Sequence, residues 1–251
     1  MTVTEICKGI WQLNEETGSN SNVDAYLIVG DKRALLVDSL QDETTLYDEI
    51  RKITQLPVDV VITHGHSDHA GASTKALHEN GCAIYMDLRD LPILKSMSNA
   101  NDNWFKDIQS GKVFDLGGFS LEVITVPGHT PGSLVLLERD KQLLFTGDTI
   151  GSGYFWMQLP HSLSLTIFLG SLKEMWEKVK SFEKLLVYPG HRSQSPVQLN
   201  LQYVKDTLTI TENLVSGEWE GEDGEMSFGG MDMKFKRISH GLMQDYLYTL
   251  Q

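Results

Sequence analysis

Residues 58–69 read Val58-Asp59-Val60-Val61-Ile62-Thr63-His64-Gly65-His66-Ser67-Asp68-His69. The first half is a β-branched apolar run and reads as a strand. The second half puts three imidazoles and a carboxylate within six residues at the end of that strand. Donors this dense form a ligand cluster. Gly65 permits the tight backbone path that lets His64 and His66 converge. Asp68 and His69 are expected in the first turn of a helix running to Asn80. Two histidines in a loop would need no explanation, whereas His-x-His-x-Asp-His is far more specific.

Working outward, the chain alternates strand and helix signals. Upstream, Gly9 to Leu13, Ala25 to Val29 and Ala34 to Val37 read as strands, the last two joined by a Gly30-Asp31-Lys32 turn. Glu43 to Ile53 has helical period, with Leu46, Ile50 and Ile53 on one face, and Pro57 ends it. Downstream, Gly81 caps the second helix before a strand at Cys82 to Met86. Residues 96–110 lack regular pattern and read as a surface loop or lid, with Trp104 and Phe105 closing over a site. Strands return at Phe119 to Val126, Ser133 to Glu138, Gln142 to Thr146 and Leu185 to Tyr188, with a helix over Leu165 to Lys180. A last helix is expected from about Pro196 to Val215, closed by Gly217. The acidic run Glu218 to Glu225 reads as a solvated loop. The alternating segment Met231 to Ile238 can add a strand to the chain's own sheet or to that of a second copy, which would make a homodimer. The length of 251 residues fits one α/β domain, with a catalytic core over about 1–191 and a helix plus hairpin over 192–251.

Composition excludes several classes. With 34 Asp+Glu against 21 Lys+Arg, the net charge of −13 repels phosphate backbones and anionic membranes, so neither nucleic acid nor a membrane is an expected partner. Cys7 and Cys82 are too few for a disulfide framework, and the N-terminus lacks the basic start and apolar run of a signal peptide. The expectation is a cytoplasmic protein acting on a small molecule.

The remaining chemistry-bearing residues also follow strands. His129 lies in Pro127-Gly128-His129-Thr130-Pro131-Gly132, Asp148 in Thr146-Gly147-Asp148-Thr149, and His191 in Pro189-Gly190-His191. Singly each is weak, and Asp148 could be a helix N-cap. Together, five of the eight histidines and two aspartates sit at strand ends, where α/β proteins assemble their sites. Imidazole and carboxylate donors without thiolate suit zinc, and also manganese or iron.

This ordered set resembles the metallo-β-lactamase superfamily, whose hallmark is His-x-His-x-Asp-His followed by isolated His, Asp and His. The resemblance implies a four-layer αβ/βα sandwich (α/β, or α+β by some schemes) with two divalent metal ions at one edge. It assigns His64, His66 and His129 to one ion, Asp68, His69 and His191 to the other, and Asp148 to both. Asp38, at a strand end, would orient a ligand histidine. The implied reaction is hydrolysis of a small ester, lactone, thioester or phosphodiester by hydroxide formed between the ions, with Asp68 carrying a proton to the leaving group. A metal-dependent oxidoreductase or dioxygenase on the same fold, and a non-catalytic metal-binding module, are the alternatives. The segment after Asp148, carrying Tyr154, Phe155 and Trp156, either walls an apolar substrate pocket or packs in the core.

Overall fold

Both faces of the central strands in this chain are apolar, so successive residues feed different cores. A computed structural model, describing residues 1–16, 22–195, 197–228 and 230–249, shows how these cores are layered. The first sheet holds seven strands side by side in chain order: β1 (Thr2–Cys7), β2 (Ile10–Glu16), β3 (Asn22–Val29), β4 (Ala34–Val37), β5 (Val58–Val61), β6 (Ala83–Met86) and β7 (Phe105–Asp107). The first four pair antiparallel, and β4 to β7 pair parallel through the helices α1 (Leu46–Ile53), α2 (Ser73–Glu79) and α3 (Leu91–Met97).

The second sheet contains β8 (Val113–Asp115), β9 (Ser120–Thr125), β10 (Leu134–Glu138) and β11 (Leu143–Gly147). After β12 (Tyr154–Met157) and α4 (Leu165–Val179), the chain returns to it as β13 (Leu186–Pro189) and β14 (Leu199–Asn200), giving the order β14-β13-β11-β10-β9-β8. The chain continues as α5 (Leu201–Ser216), β15 (Glu222–Phe228), β16 (Met231–His240) and β17 (Met243–Tyr248), and a third sheet runs β12-β17-β16-β15.

Three cores define four layers. Leu27, Leu36 and Val60 meet Leu46, Ile50 and Leu77 of α1 and α2. Their strand neighbours Ile28, Leu35, Val37 and Val61 face Leu121, Val123, Leu136 and Phe145 of the second sheet. On that sheet's far side, Val135, Leu137, Leu144 and Val187 pack on Phe168, Leu172 and Met175 of α4 and Val204 of α5. The result is the expected αβ/βα sandwich.

Several local expectations are corrected. The helix expected from Asp68 begins only at Ser73. The Ala72 amide, which a helix from Asp68 would send to the Asp68 carbonyl, donates to Gln41 O at 2.7 Å, and Gly71 N donates to Leu40 O at 2.8 Å. The lid expected over 96–110 is the end of α3, a short turn and β7. Phe105 pairs with Ile84 at the sheet edge, and Trp104 packs on the helix-facing core with its ring 6.3 Å from that of His78. Neither aromatic belongs to a cover over the histidines. The acidic run is also not wholly a loop. Its second half is β15, where Glu222, Asp223 and Glu225 stand opposite Arg237, Lys236 and Lys234 of β16, and these cross-strand charge pairs favour the pairing. Pro196, the expected start of the last helix, lies outside the described residues. The helix begins at Leu201, where the Asn200 side chain accepts the Gln202 amide at 3.0 Å.

The segment after Asp148 divides by side. Phe155 is fully buried, stacked on Phe168 at 5.2 Å and against Tyr246 at 4.8 Å, so it is core rather than pocket wall. Tyr154 and Trp156 leave the opposite face of β12, and Tyr154 is exposed. Phe155→Ala is expected to lower unfolding stability by about 3–5 kcal/mol in a urea titration, the range for truncating a buried aromatic. A loss below about 1 kcal/mol would contradict the core placement.

Candidate metal centre

All seven residues singled out as ligands, and Asp38 with them, come together at one edge of the sandwich. The loop after β5 brings His64, His66, Asp68 and His69. His129 follows β9, Asp148 follows β11 and His191 follows β13. His64 Nε2 and His129 Nε2 lie 3.0 and 3.1 Å from His66 Nδ1. Beside them, His69 Nε2 is 3.5 Å from Asp148 Oδ1 and 3.8 Å from Asp68 Oδ2. His191 Nε2 is 3.3 Å from Asp148 Oδ2 and 3.5 Å from Asp68 Oδ2. Asp148 Oδ2 is also 3.9 Å from His129 Nε2, so this carboxylate lies between the two groups of donors.

The far nitrogens of His64, His69, His129 and His191 are anchored, which fixes what the near ones can do. His129 Nδ1–H donates to Trp156 O at 2.8 Å, and His191 Nδ1–H donates to Asn22 O at 2.8 Å. His69 Nδ1–H donates to Asp38 Oδ2 at 2.8 Å. Thr63 Oγ1–H donates to the same oxygen at 2.9 Å, leaving its own lone pair for His64 Nδ1–H at 3.1 Å. The Nε2 atoms of His64 and His129 therefore carry lone pairs, both aimed at His66 Nδ1. A single proton on His66 cannot satisfy both, whereas a cation satisfies all three. His69 Nε2 and Asp148 Oδ1 are buried without a hydrogen-bond partner, another arrangement that a cation completes. The donor set thus fits a divalent metal ion.

Two buried carboxylates that sequence reading missed also hold the site together. Asp24, fully buried on β3, accepts from the Arg192 amide at 2.7 Å and from the Gln12 and Asn14 side chains at 2.7 Å each, while its own amide donates to Gly190 O at 2.8 Å. With Tyr26 Oη–H donating to Pro189 O at 2.8 Å, β3 grips the turn that presents His191. Asp90, also fully buried, accepts from Gly65 N, Thr130 Oγ1 and Gly132 N. The available signal was Asp24 itself, a lone charge in the apolar run Val23 to Val29. Asp90 gave none, because Asp87-Leu88-Arg89-Asp90 reads as an ordinary polar turn.

Charge divides the donors. Burial, reinforced by the other rings, holds His64 well below the usual imidazole range and brings His66 to about 3. Burial also lowers His129. For His69 burial opposes the proton, but Asp148, Asp68 and Asp38 outweigh it and raise the group to about 9. Asp148 outweighs burial in the same way at His191, which lies well above its ordinary value. Burial likewise opposes the charges of Asp68 and Asp148, and their histidine neighbours override it and hold both carboxyls below the usual range. The three-imidazole group is thus neutral and ready to ligate at pH 7, whereas the second group must release protons to do so.

The family model of the metallo-beta-lactamase superfamily matches residues 18–191, and the chain belongs to that superfamily. Hydroxyacylglutathione hydrolase GloC of Haemophilus influenzae is 28% identical over 137 residues, covering 49% of this chain and 64% of that protein. A hydroxyacylglutathione hydrolase of Hyphomonas neptunium is 27% identical over 159 residues, covering 62% of this chain and 54% of that protein, so this chain spans less than two thirds of either relative. Acyl-coenzyme A thioesterase MBLAC2 of Gallus gallus is 26% identical over 221 residues, with 73% of this chain and 77% of that protein covered. Among solved structures, a metallo-beta-lactamase from Pontibacter korlensis superposes with a TM-score of 0.67 at 19% identity, over 84% of this chain and 99% of that one. That likeness establishes the fold. Among the described residues, no helix is long and apolar enough to cross a membrane.

The opposed shifts predict the pH dependence of the chelated protein. His66, lowered from 6.5 to about 3, binds more protons unfolded than folded between those values, so its contribution is lost as pH falls below 6.5. His69, raised from 6.5 to about 9, stabilises below 6.5 and loses that contribution as pH rises through 9. Melting temperature of the chelated protein is expected to be highest near pH 6.5 and to fall on both sides of it, and His69→Gln is expected to flatten the alkaline side. An alkaline limb unchanged in the variant would refute the assignment.

Proposed function

We propose that the chain is a metal-dependent hydrolase of a small ester, lactone, thioester or phosphodiester, with acyl thioesters the foremost substrates. The observation that carries this reading is the pair of adjacent donor groups meeting at Asp148. His64, His66 and His129 would hold one divalent ion and Asp68, His69 and His191 a second, with Asp148 within reach of both. Zinc suits the imidazole-rich set best, and manganese or iron are compatible. Ions bound there supply water ionised near neutral pH and stabilise charge developing on a carbonyl oxygen. The thioester preference draws support from relatives named as hydroxyacylglutathione hydrolases and an acyl-coenzyme A thioesterase.

The chain's own groups do the rest. Asp38, through His69 Nδ1 and the Thr63 hydroxyl, keeps the Nδ1 proton on each ring, so Nε2 is the nitrogen left to ligate, at His69 once its second proton has been released. The Trp156 and Asn22 carbonyls do the same for His129 and His191. Asp68 is the most exposed of the acidic donors, with 29% of its side chain accessible, so its carboxylate can meet a substrate. As water oxygen bonds to the acyl carbon and the carbon–sulfur bond breaks, the ionised Asp68 carboxylate takes the proton that the water gives up and passes it to the departing sulfur, ending the turnover ionised as it began.

One preparation assayed on an acyl thioester, aryl ester, lactone, aryl phosphodiester and β-lactam, before and after chelation and zinc add-back, tests this. Thioester turnover that chelation abolishes and zinc restores is the expected outcome. Asp68→Asn is expected to lower kcat by about 10²–10⁴ with a smaller change in KM. Turnover indifferent to chelation, or unchanged in that variant, would sink the mechanism.

A further inference from the structure

We propose that Asp90 is a positioning residue whose carboxylate sets the spacing of His64, His66 and His129 by tying together the two loops that carry them. The inference rests on reading those three imidazoles as one metal's donors. One loop follows β5 of the first sheet, and the other joins β9 to β10 of the second. Asp90 Oδ2 accepts from Gly65 N, between His64 and His66, at 2.8 Å, and from Thr130 Oγ1, next to His129, at 2.5 Å. Its Oδ1 accepts from Gly132 N at 2.6 Å. The Ser133 hydroxyl completes the second loop, lying 2.7 Å from Thr130 Oγ1 and accepting Thr130 N at 3.0 Å. Three donors from two loops thus converge on one fully buried carboxylate.

The fit is tight on both sides. A Cβ at position 65 would lie 2.5 Å from Asp90 O, and one at 132 would lie 2.7 Å from Asp90 Cγ. Both glycines are needed because the Asp90 unit is wedged between the two backbones. Apart from Asp90, Leu134 N donates to Thr63 O at 3.0 Å, so the loops keep a main-chain link if the carboxylate is altered. What Asp90 adds is control of the stretch between Gly65 and Gly132, on which the separation of His66 from His129 depends. Asp90 makes no hydrogen bond to the residues of the second donor group, so its influence is confined to one group.

The test is zinc titration of the full chain against a competing chelator for wild type, Asp90→Asn, Thr130→Val and Asp87→Asn. An asparagine at 90 keeps the shape but turns an N–H toward a donor. One zinc equivalent is expected to weaken about 10–100-fold in Asp90→Asn, the other to stay unchanged, and Thr130→Val to weaken the same equivalent less. Asp87 pairs with Arg89 on the same turn and bonds neither loop, so Asp87→Asn should change neither equivalent. Equal weakening of both equivalents in step with melting temperature would reduce Asp90 to general stability and overturn the proposal.

The metal-free protein gives a second readout. In chelated protein followed by amide NMR, the Gly65 and Gly132 protons are expected to move upfield and exchange faster in Asp90→Asn, and amides that left both unmoved would overturn the clamp. Wild type binding fewer than two equivalents would instead count against the two-metal reading, with the amide result still deciding the role of Asp90. Should Asp90→Asn fail to fold, Thr130→Val and Gly132→Ala carry the same comparison.

Discussion

Asp38 follows β4 with a positive φ of 64°, a backbone region that non-glycine residues seldom occupy, and its carboxylate spends both oxygens on the site. Oδ1 takes the Thr63 amide at 2.7 Å, and Oδ2 takes the Thr63 hydroxyl and His69 Nδ1. Without that acceptor, the fully buried Thr63 amide and hydroxyl and His69 imidazole would be unpaired, at about 1–3 kcal/mol each. Burying so many imidazoles is tolerable because the groups behind them are satisfied. Asp24 and Asp90 repeat the device elsewhere, each almost sealed from solvent and each accepting the main-chain amide of a loop that presents a donor. Rigid carboxylates behind the donors thus fix geometry before any ion arrives.

The site belongs to neither sheet alone. The loop after β5 carries most donors, but His191 comes from the second sheet and is gripped by β3 of the first through Asn22, Asp24 and Tyr26. Leu134 N on β10 reaches Thr63 O at the end of β5. The middle core, built from residues such as Leu35, Val37, Leu136 and Phe145, sets the separation of the sheets and hence the distance across the donors. Close approach is built in as well: a Cβ at Gly190 would lie 2.3 Å from His69 Cε1, so that turn can pass the ring only as glycine.

Much of this was readable from residue order because period and punctuation are local. The run Val58 to Thr63 is a strand by its β-branching, Gly81 adopts a φ of 83° as its place after a helix implied, and the donors cluster because each follows a strand. What escaped depended on distant partners. The start of α2 moved because Gly71 and Ala72 give their amides to a loop thirty residues back in the chain. Nothing local tells that the acidic strand β15 will face Lys234, Lys236 and Arg237. Trp104-Phe105 looks like a lid in sequence, and only the pairing of β6 with β7 shows it to be the last residue of a short turn and the first of an edge strand. Asp90 is one acid among several in its turn until the fold sets it between two glycines.

The pairing of β12 with β17 has a consequence for the order in which the molecule can be made. Trp156, whose carbonyl orients His129, stands opposite Leu247 in a parallel ladder, so a donor near the middle of the chain is braced by a strand near position 248. Such long-range pairing bears its loop-closure entropy before any contact repays it and forms slowly. On a ribosome the stretch through His191 emerges with every donor already present, yet His129 cannot take its final bearing until β17 docks. Loss of β17 would therefore loosen the Trp156 carbonyl and be felt at a histidine far from that strand in sequence.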